Sequence, residues 1–238
     1  MPILKKIKRK LVLYYKYPNQ LSADLNILFN SPKGKLIGIK SFAPNYIFFD
    51  RFNENSVIVD VGCGFMAEFS QSLIEKYNLK AYGVDPTLKH KPHLLEIEAK
   101  HGGKFKHIPV AITKENGKIS FNETLDNESG SILKDHKNIL HDSIRTYEVE
   151  SMNLPTLLKH LGLNEVDLLK LDLEGAEFEL LSNISEEDLK PFKQIFIEFH
   201  HLAVKGYTKK DTLLLVKKIK SLGFKSFSLD RINFLFYK

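Results

Sequence analysis

At 238 residues, 43% of them hydrophobic, the chain can bury a full core as one domain with a small appendage. No apolar run approaches the length of a membrane span, and the basic cluster near the start leaves only LVLYY, too little for a secretory signal. The formal net charge of +6 is local: Lys5, Lys6, Lys8, Arg9, Lys10 and Lys16 precede the first acid, and without them 29 basic residues face 29 acidic ones, which argues against a broad nucleic-acid groove.

That basic stretch is interleaved with Ile3, Leu4, Ile7, Leu11, Val12 and Tyr15. It reads either as an amphipathic helix touching an anionic membrane surface or as an ordinary helix packed on its own domain. Residues 1–50 are expected to form a helical extension punctuated by Pro18, Pro32, Gly34 and Pro44, a segment that could also cover a site. The aromatic residues Tyr46, Phe48, Phe49 and Phe52 should pack it onto the main domain at 51–238. Cys63 is the single cysteine, which excludes an intrachain disulfide and fits a reducing, cytoplasmic setting.

The main domain opens with SVIVDVGCGF at 56–65, a β-branched run ending in Asp60, Gly62, Cys63, Gly64 and Phe65. A helical pattern follows through Phe69, Leu73, Ile74 and Tyr77. Glycines at such a turn let backbone amides approach a ligand, and a carboxylate just before them can hold an ammonium group. A second strand at 80–85 ends in Asp85 before Pro86. An acid at the end of the second strand of a nucleotide-binding α/β fold accepts hydrogen bonds from ribose hydroxyls.

Residues 89–101 read as a helix, 105–113 as a third strand, and 118–121 as a short one. Residues 122–144 are polar and long for a connection, as lids and binding loops are. A strand pattern resumes at 145–150, and a short helix runs over 154–161 to Gly162.

The densest chemistry lies in VDLLKLDLEGAEFELL at 166–181. An apolar strand interrupted by Asp167 and Lys170 turns at Gly175 into a helix, crowding Asp172, Glu174 and Glu177 at the carboxyl end of the strand. Glu177 is expected only to favour the helix N-terminus, and Lys170 to pair with a buried acid. The fifth strand, 194–199, carries Glu198 and is followed by His200 and His201. A basic amphipathic helix at 208–222 and a hairpin over 224–237 close the chain. Two histidine pairs, His90 with His93 and His136 with His141, lack a companion acid or cysteine cluster, so no metal is expected.

Alternating strands and helices imply an α/β fold, a parallel sheet with helices on both faces, whose terminal hairpin makes the last strand antiparallel. Together with DVGCG at 60–64 and the ribose acid, that ending resembles class I S-adenosylmethionine-dependent methyltransferases, a three-layer Rossmann-like sandwich with a seven-stranded, mostly parallel sheet. A dehydrogenase would more often carry G-x-G-x-x-G, and Ala67 stands at its third position.

Within that class the chain is similar to the FkbM-type methyltransferases over roughly 57–200. The likeness rests on Asp85-Pro86, PVAIT at 109–113, SGSIL at 129–133, IEFH at 197–200 and, above all, DLEGAE at 172–177. Met66 and Pro155 depart from the family pattern, which has a glycine and an acid there. The resemblance implies an O-methyltransferase using S-adenosylmethionine on a hydroxyl of a sugar, glycan precursor or polyketide-like molecule. Cofactor contacts fall on Asp60, Gly62, Cys63, Gly64, Phe65, Asp85, Pro86, Ala111, Ile112 and Asp172. His200 is the expected general base, since an imidazole titrates near neutrality, with Asp172, Glu174 and Glu198 orienting it or holding the acceptor. Two other readings stay open, an N- or RNA methyltransferase on the same fold and a non-catalytic cofactor-binding protein.

Overall fold

Strands β3 (Val57–Val61) and β10 (Leu168–Leu171) pair in parallel, Leu168 opposite Ile58 through Leu171 opposite Val61, at the centre of a computed structural model that describes residues 36–37 and 48–238. Every residue of β10 is buried, as its near-continuous apolar run requires of a strand covered on both faces. On one side follow β4 (Lys80–Val84) and β5 (Phe105–Ile108), and on the other β11 (Gln194–Glu198), all parallel. The closing hairpin, β12 (Lys225–Phe227) and β13 (Asn233–Tyr237), completes seven strands in the order β12-β13-β11-β10-β3-β4-β5, with β13 alone running antiparallel. The expected sheet and its antiparallel last strand are therefore present.

Side-chain alternation on these strands divides the core into two layers. Val59, Leu169, Leu171, Ile195 and Ile197 pack on one face under α4 (Leu154–Leu161), α5 (Glu177–Ser182), α6 (Glu186–Leu189) and α7 (Lys209–Ser221). Ile58, Ala81, Leu168 and Phe196 pack on the other, against α1 (Glu68–Tyr77) and α2 (Lys91–Lys100). Phe48 and Phe49, which form β2 (Phe48–Phe49) and pair with β1 (Leu36–Ile37), belong to this second layer, and the Phe49 N–H donates to Gln194 Oε1 at 2.7 Å. The rest of the expected helical extension, its basic cluster and Tyr46 lie outside the described residues. Among the described residues no helix is long and apolar enough to cross a membrane.

Two sequence expectations change. The third strand does not run through to 113: Pro109 offers no N–H to a ladder, so β5 stops at Ile108 and β6 (Ala111–Ile112) joins a second sheet. That sheet, ordered β6-β9-β7-β8, contains β7 (Gly117–Thr124), β8 (Gly130–Ser131) and β9 (Ile144–Met152). The polar segment 122–144 accordingly is not one irregular connection, since it holds the end of β7, β8 and α3 (Lys137–Leu140). Its polar residues are buried with partners, which a hydrophobicity pattern cannot register. Asn122 and Thr124 are fully buried, and they donate to Ser131 O and Ser129 O at 3.2 and 2.6 Å.

Candidate functional site

The carboxyl ends of β3, β4 and β10 open into a cavity of about 240 Å³, walled on the far side by β6 and by the residues around β8. Two glycines after β3 shape its floor. Gly62 has φ +72°, and a Cβ there would lie 1.8 Å from the Asp172 carbonyl oxygen, so only glycine permits the two strand ends to meet. Gly64 has φ +70° and lines the cavity, and a Cβ on it would meet no protein atom within 4 Å. The loop therefore presents bare backbone to open space, which fits a cofactor lying against it.

Asp85 stands at the end of β4 on the same wall. Its Oδ2 accepts the Gly64 N–H at 3.0 Å, its Oδ1 accepts the Thr87 N–H at 2.9 Å, and His90 Nδ1 lies 3.3 Å from Oδ2. Burial would raise the carboxyl, but the bonds from His90 and Thr87 outweigh it and hold the group below the ordinary carboxylate value. Pro86 adjoins it, Ala111 and Ile112 line the opposite side, and Asp172 and Glu174 complete the cavity.

Three residues expected at the cofactor do not line it. Asp60 is fully buried, with Oδ2 accepting from Ser70 Oγ at 2.8 Å and Oδ1 at 3.3 Å from Lys170 Nζ. Its side chain shares the strand face of Ile58 and points into the layer below, so the carboxylate meets a protein ammonium rather than a ligand's. Lys170 thus pairs with a buried acid as expected, and it also donates to Gly62 O at 3.0 Å and Asp172 Oδ2 at 3.2 Å. Cys63 is buried in the same layer, and burial first, then the charges of Asp85 and Asp60, push its thiol well above the usual value. Phe65 lies against His93, ring centroids 3.8 Å apart, away from the cavity.

At the other end of the cavity the chain leaves β10 through two successive left-handed residues, Glu174 at φ +48° and Gly175 at φ +101°. A Cβ on Gly175 would lie 2.3 Å from Val204 Cγ2, so the glycine is also sterically required. Glu177 does more than favour a helix start. It is completely buried, its Oε2 accepts the Gly175 N–H at 2.9 Å, and its Oε1 accepts the His200 N–H at 2.7 Å and lies 3.3 Å from His200 Nδ1. One carboxylate thus ties the acid turn to the exit of β11.

His200 Nε2 then faces Asp172 Oδ1 at 3.5 Å and Glu174 Oε2 at 3.7 Å. Burial opposes the charge on this imidazole, but Glu177, Asp172 and Glu174 outweigh burial and push its pKa up to about 10. An imidazole whose charged form is favoured in this way is a poorer proton acceptor than the free imidazole on which the general-base expectation rests. Glu198 is raised to about 7, by burial and then by the charge of Asp172, and it does not line the cavity. His201 turns away, its Nδ1 2.9 Å from Thr212 Oγ1 on α7.

His136 carried no local signal, yet its Nε2 lies 2.8 Å from Glu174 Oε2. Its Nδ1 accepts the Asn138 N–H at 3.2 Å, and its buried Nε2 approaches the carboxylate without an aligned hydrogen bond to it. A backbone bridge between His136 and Val204, distant in sequence, brings it there. Asp172, Glu174 and His200 each present one ligand atom within 4.8 Å of the others.

A family model described as the methyltransferase FkbM domain matches residues 81–226. The chain belongs to this family. The match takes in Asp85, the acid turn and His200, and the glycine loop after β3 precedes it. No curated protein matches the chain.

Similar solved structures include M. capricolum TrmK in complex with S-adenosyl-homocysteine, at 14% identity and a TM-score of 0.41, covering 78% of this chain and 62% of that one. A Methanococcus jannaschii fibrillarin pre-rRNA processing protein is 12% identical with a TM-score of 0.46, covering 86% and 81%. The N-terminal domain of human METTL16 in complex with S-adenosyl-homocysteine is 10% identical with a TM-score of 0.44, covering 77% and 61%. The chain thus spans less than two thirds of the TrmK and METTL16 chains.

Proposed function

We propose that this FkbM-domain protein transfers a methyl group from S-adenosylmethionine to a hydroxyl of a sugar, glycan precursor or similar polyhydroxylated small molecule. The observation that carries the reading is the continuity of one cavity, from Gly64 and Asp85 at one end to Asp172 and Glu174 at the other. When bound, S-adenosylmethionine supplies an electrophilic methyl group. The chain's own residues do the rest. Gly62 and Gly64 admit the ligand to the backbone, and Asp85, aligned by Thr87 and His90, accepts from the ribose hydroxyls.

Asp172 and Glu174 are acceptors with free lone pairs at the cavity surface, a chemistry suited to hydroxyl groups. They hold the acceptor, and Glu174 takes the position of proton acceptor in place of His200. His200, flanked by Asp172, Glu174 and Glu177, pairs with their carboxylates and orients them.

The test is a panel of nucleotide-linked and surface-glycan sugars incubated with S-adenosylmethionine and read by mass for one added methyl group. Product from one or more hydroxyl acceptors is expected. Product from RNA or amine acceptors, with none from any sugar, overturns the reading.

A further inference from the structure

We propose that Asp172, Glu174 and His200 form a site for a divalent cation of the Mn²⁺ or Mg²⁺ class on the acceptor side of the cavity. What the ion does there, holding the acceptor's oxygen, rests on the methyl-transfer reading; that it binds does not.

The geometry is that of ligands awaiting a common ion. His200 Nε2 stands 3.5 Å from Asp172 Oδ1 and 3.7 Å from Glu174 Oε2, beyond a good hydrogen bond to either. Cis ligands at about 2.1 Å from an octahedral ion stand about 3 Å apart, so the three donor atoms, all within 4.8 Å of one another, reach a common ion by shifts of less than about 1 Å each. The three side chains are 12%, 22% and 26% exposed, so the group is set into the wall yet open to the cavity that Asp172 and Glu174 line.

Each donor is also aimed by a partner behind it, the arrangement that metal ligands need. Glu177, wholly buried, holds His200 through Nδ1 and the backbone N–H, which leaves Nε2 facing the carboxylates, where an entering cation replaces the proton on Nε2 and binding releases it. Lys170 Nζ takes Asp172 Oδ2 at 3.2 Å and leaves Oδ1 toward His200. His136 Nε2 flanks the Glu174 carboxylate at 2.8 Å. The backbone of Glu174 is held at φ +48°, a conformation costly for a side-chain-bearing residue and common at ligand clamps. Two carboxylates and one imidazole, with no thiolate among them, form a hard-to-borderline set that suits Mn²⁺ or Mg²⁺.

The experiment titrates MnCl₂ into the full chain and follows loss of the free-ion signal by electron paramagnetic resonance. One Mn²⁺ per chain is expected. Glu174→Gln, Asp172→Asn and His200→Gln should abolish binding, and Glu177→Gln should weaken it about 10–100-fold by releasing His200. Thermal melts check that each variant is folded, and Glu174→Gln, at a partly exposed turn, keeps the test decisive if the more buried changes fail to fold. No saturable binding by folded wild-type protein, or equal binding by wild type and Glu174→Gln, overturns the site and identifies the cluster as a self-contained ion-pair network. Specific Mn²⁺ binding supports the site even if no acceptor is methylated. Methylation without Mn²⁺ binding leaves the functional reading standing and removes the site.

Discussion

The Asp172 carbonyl oxygen occupies the place a side chain on Gly62 would need, 1.8 Å from where its Cβ would be built. Gly62→Ala must therefore push apart the ends of β3 and β10 as well as hold alanine at φ +72°. Summing an overpacking cost and a left-handed cost gives about 2–5 kcal/mol of lost stability. Gly64→Ala meets no protein atom and should lose only the left-handed cost, about 1–2 kcal/mol. Its methyl group should instead weaken S-adenosylmethionine binding. Urea unfolding and calorimetry separate the two variants, and equal destabilisation by both contradicts this account.

Asp85→Ala should weaken S-adenosylmethionine by about 1.5–3 kcal/mol, the range for hydrogen bonds to a charged group. Calorimetry on the folded variant is the measurement. Unchanged affinity removes Asp85 from the ribose site.

Asp85 also makes stability depend on pH. Its folded carboxyl is held below the ordinary value of 3.8, so its ionised form stabilises the fold above that value. The contribution is lost as pH falls through the depressed folded value. The stability gap between wild type and Asp85→Asn should be full at neutral pH and shrink below about pH 4. Urea midpoints across that range test it, and a gap that widens toward acid reverses the sign.

Lys170→Met leaves the fully buried carboxylate of Asp60 without its ammonium partner. Breaking a buried pair on one side costs about 3–5 kcal/mol. Adding Asp60→Asn should restore part of that loss, giving a coupling energy in a double-mutant cycle. Strict additivity of the two changes is the contrary result.

Cys63 should resist alkylation in the native protein, because burial keeps its thiol protonated and enclosed. Iodoacetamide should label it at the rate of opening, and quickly in urea. Prompt labelling of the folded chain contradicts the packing described for it.

Much of the main sheet was legible because fully buried parallel strands write themselves as apolar runs, and the acid turn because Asp172, Glu174 and Gly175 follow one. What escaped was set by distant register. The side chain of Asp60 faces inward because Lys170 lies opposite it on β10. Glu177 looks like any acid in a first helical turn until His200 arrives beside it from β11. His136 reaches Glu174 only through its bridge to Val204. The second sheet was hidden by buried polar residues, whose partners replace the water that polarity implies.

The cavity draws its walls from two separate sheets. The main sheet contributes Gly62, Asp85 and Asp172, whereas Ala111, Ile112, Phe121 and the residues around β8 come from the smaller one. The connection from β7 to β8 spans residues 125–129 and touches the cavity through Glu128 and Ser129. Lengthening or recomposing that connection reshapes one wall and leaves every strand of the methyl-donor scaffold in register. Such a scaffold can diversify what it admits by exchanging a short tip, the kind of change to which a folded domain is most tolerant.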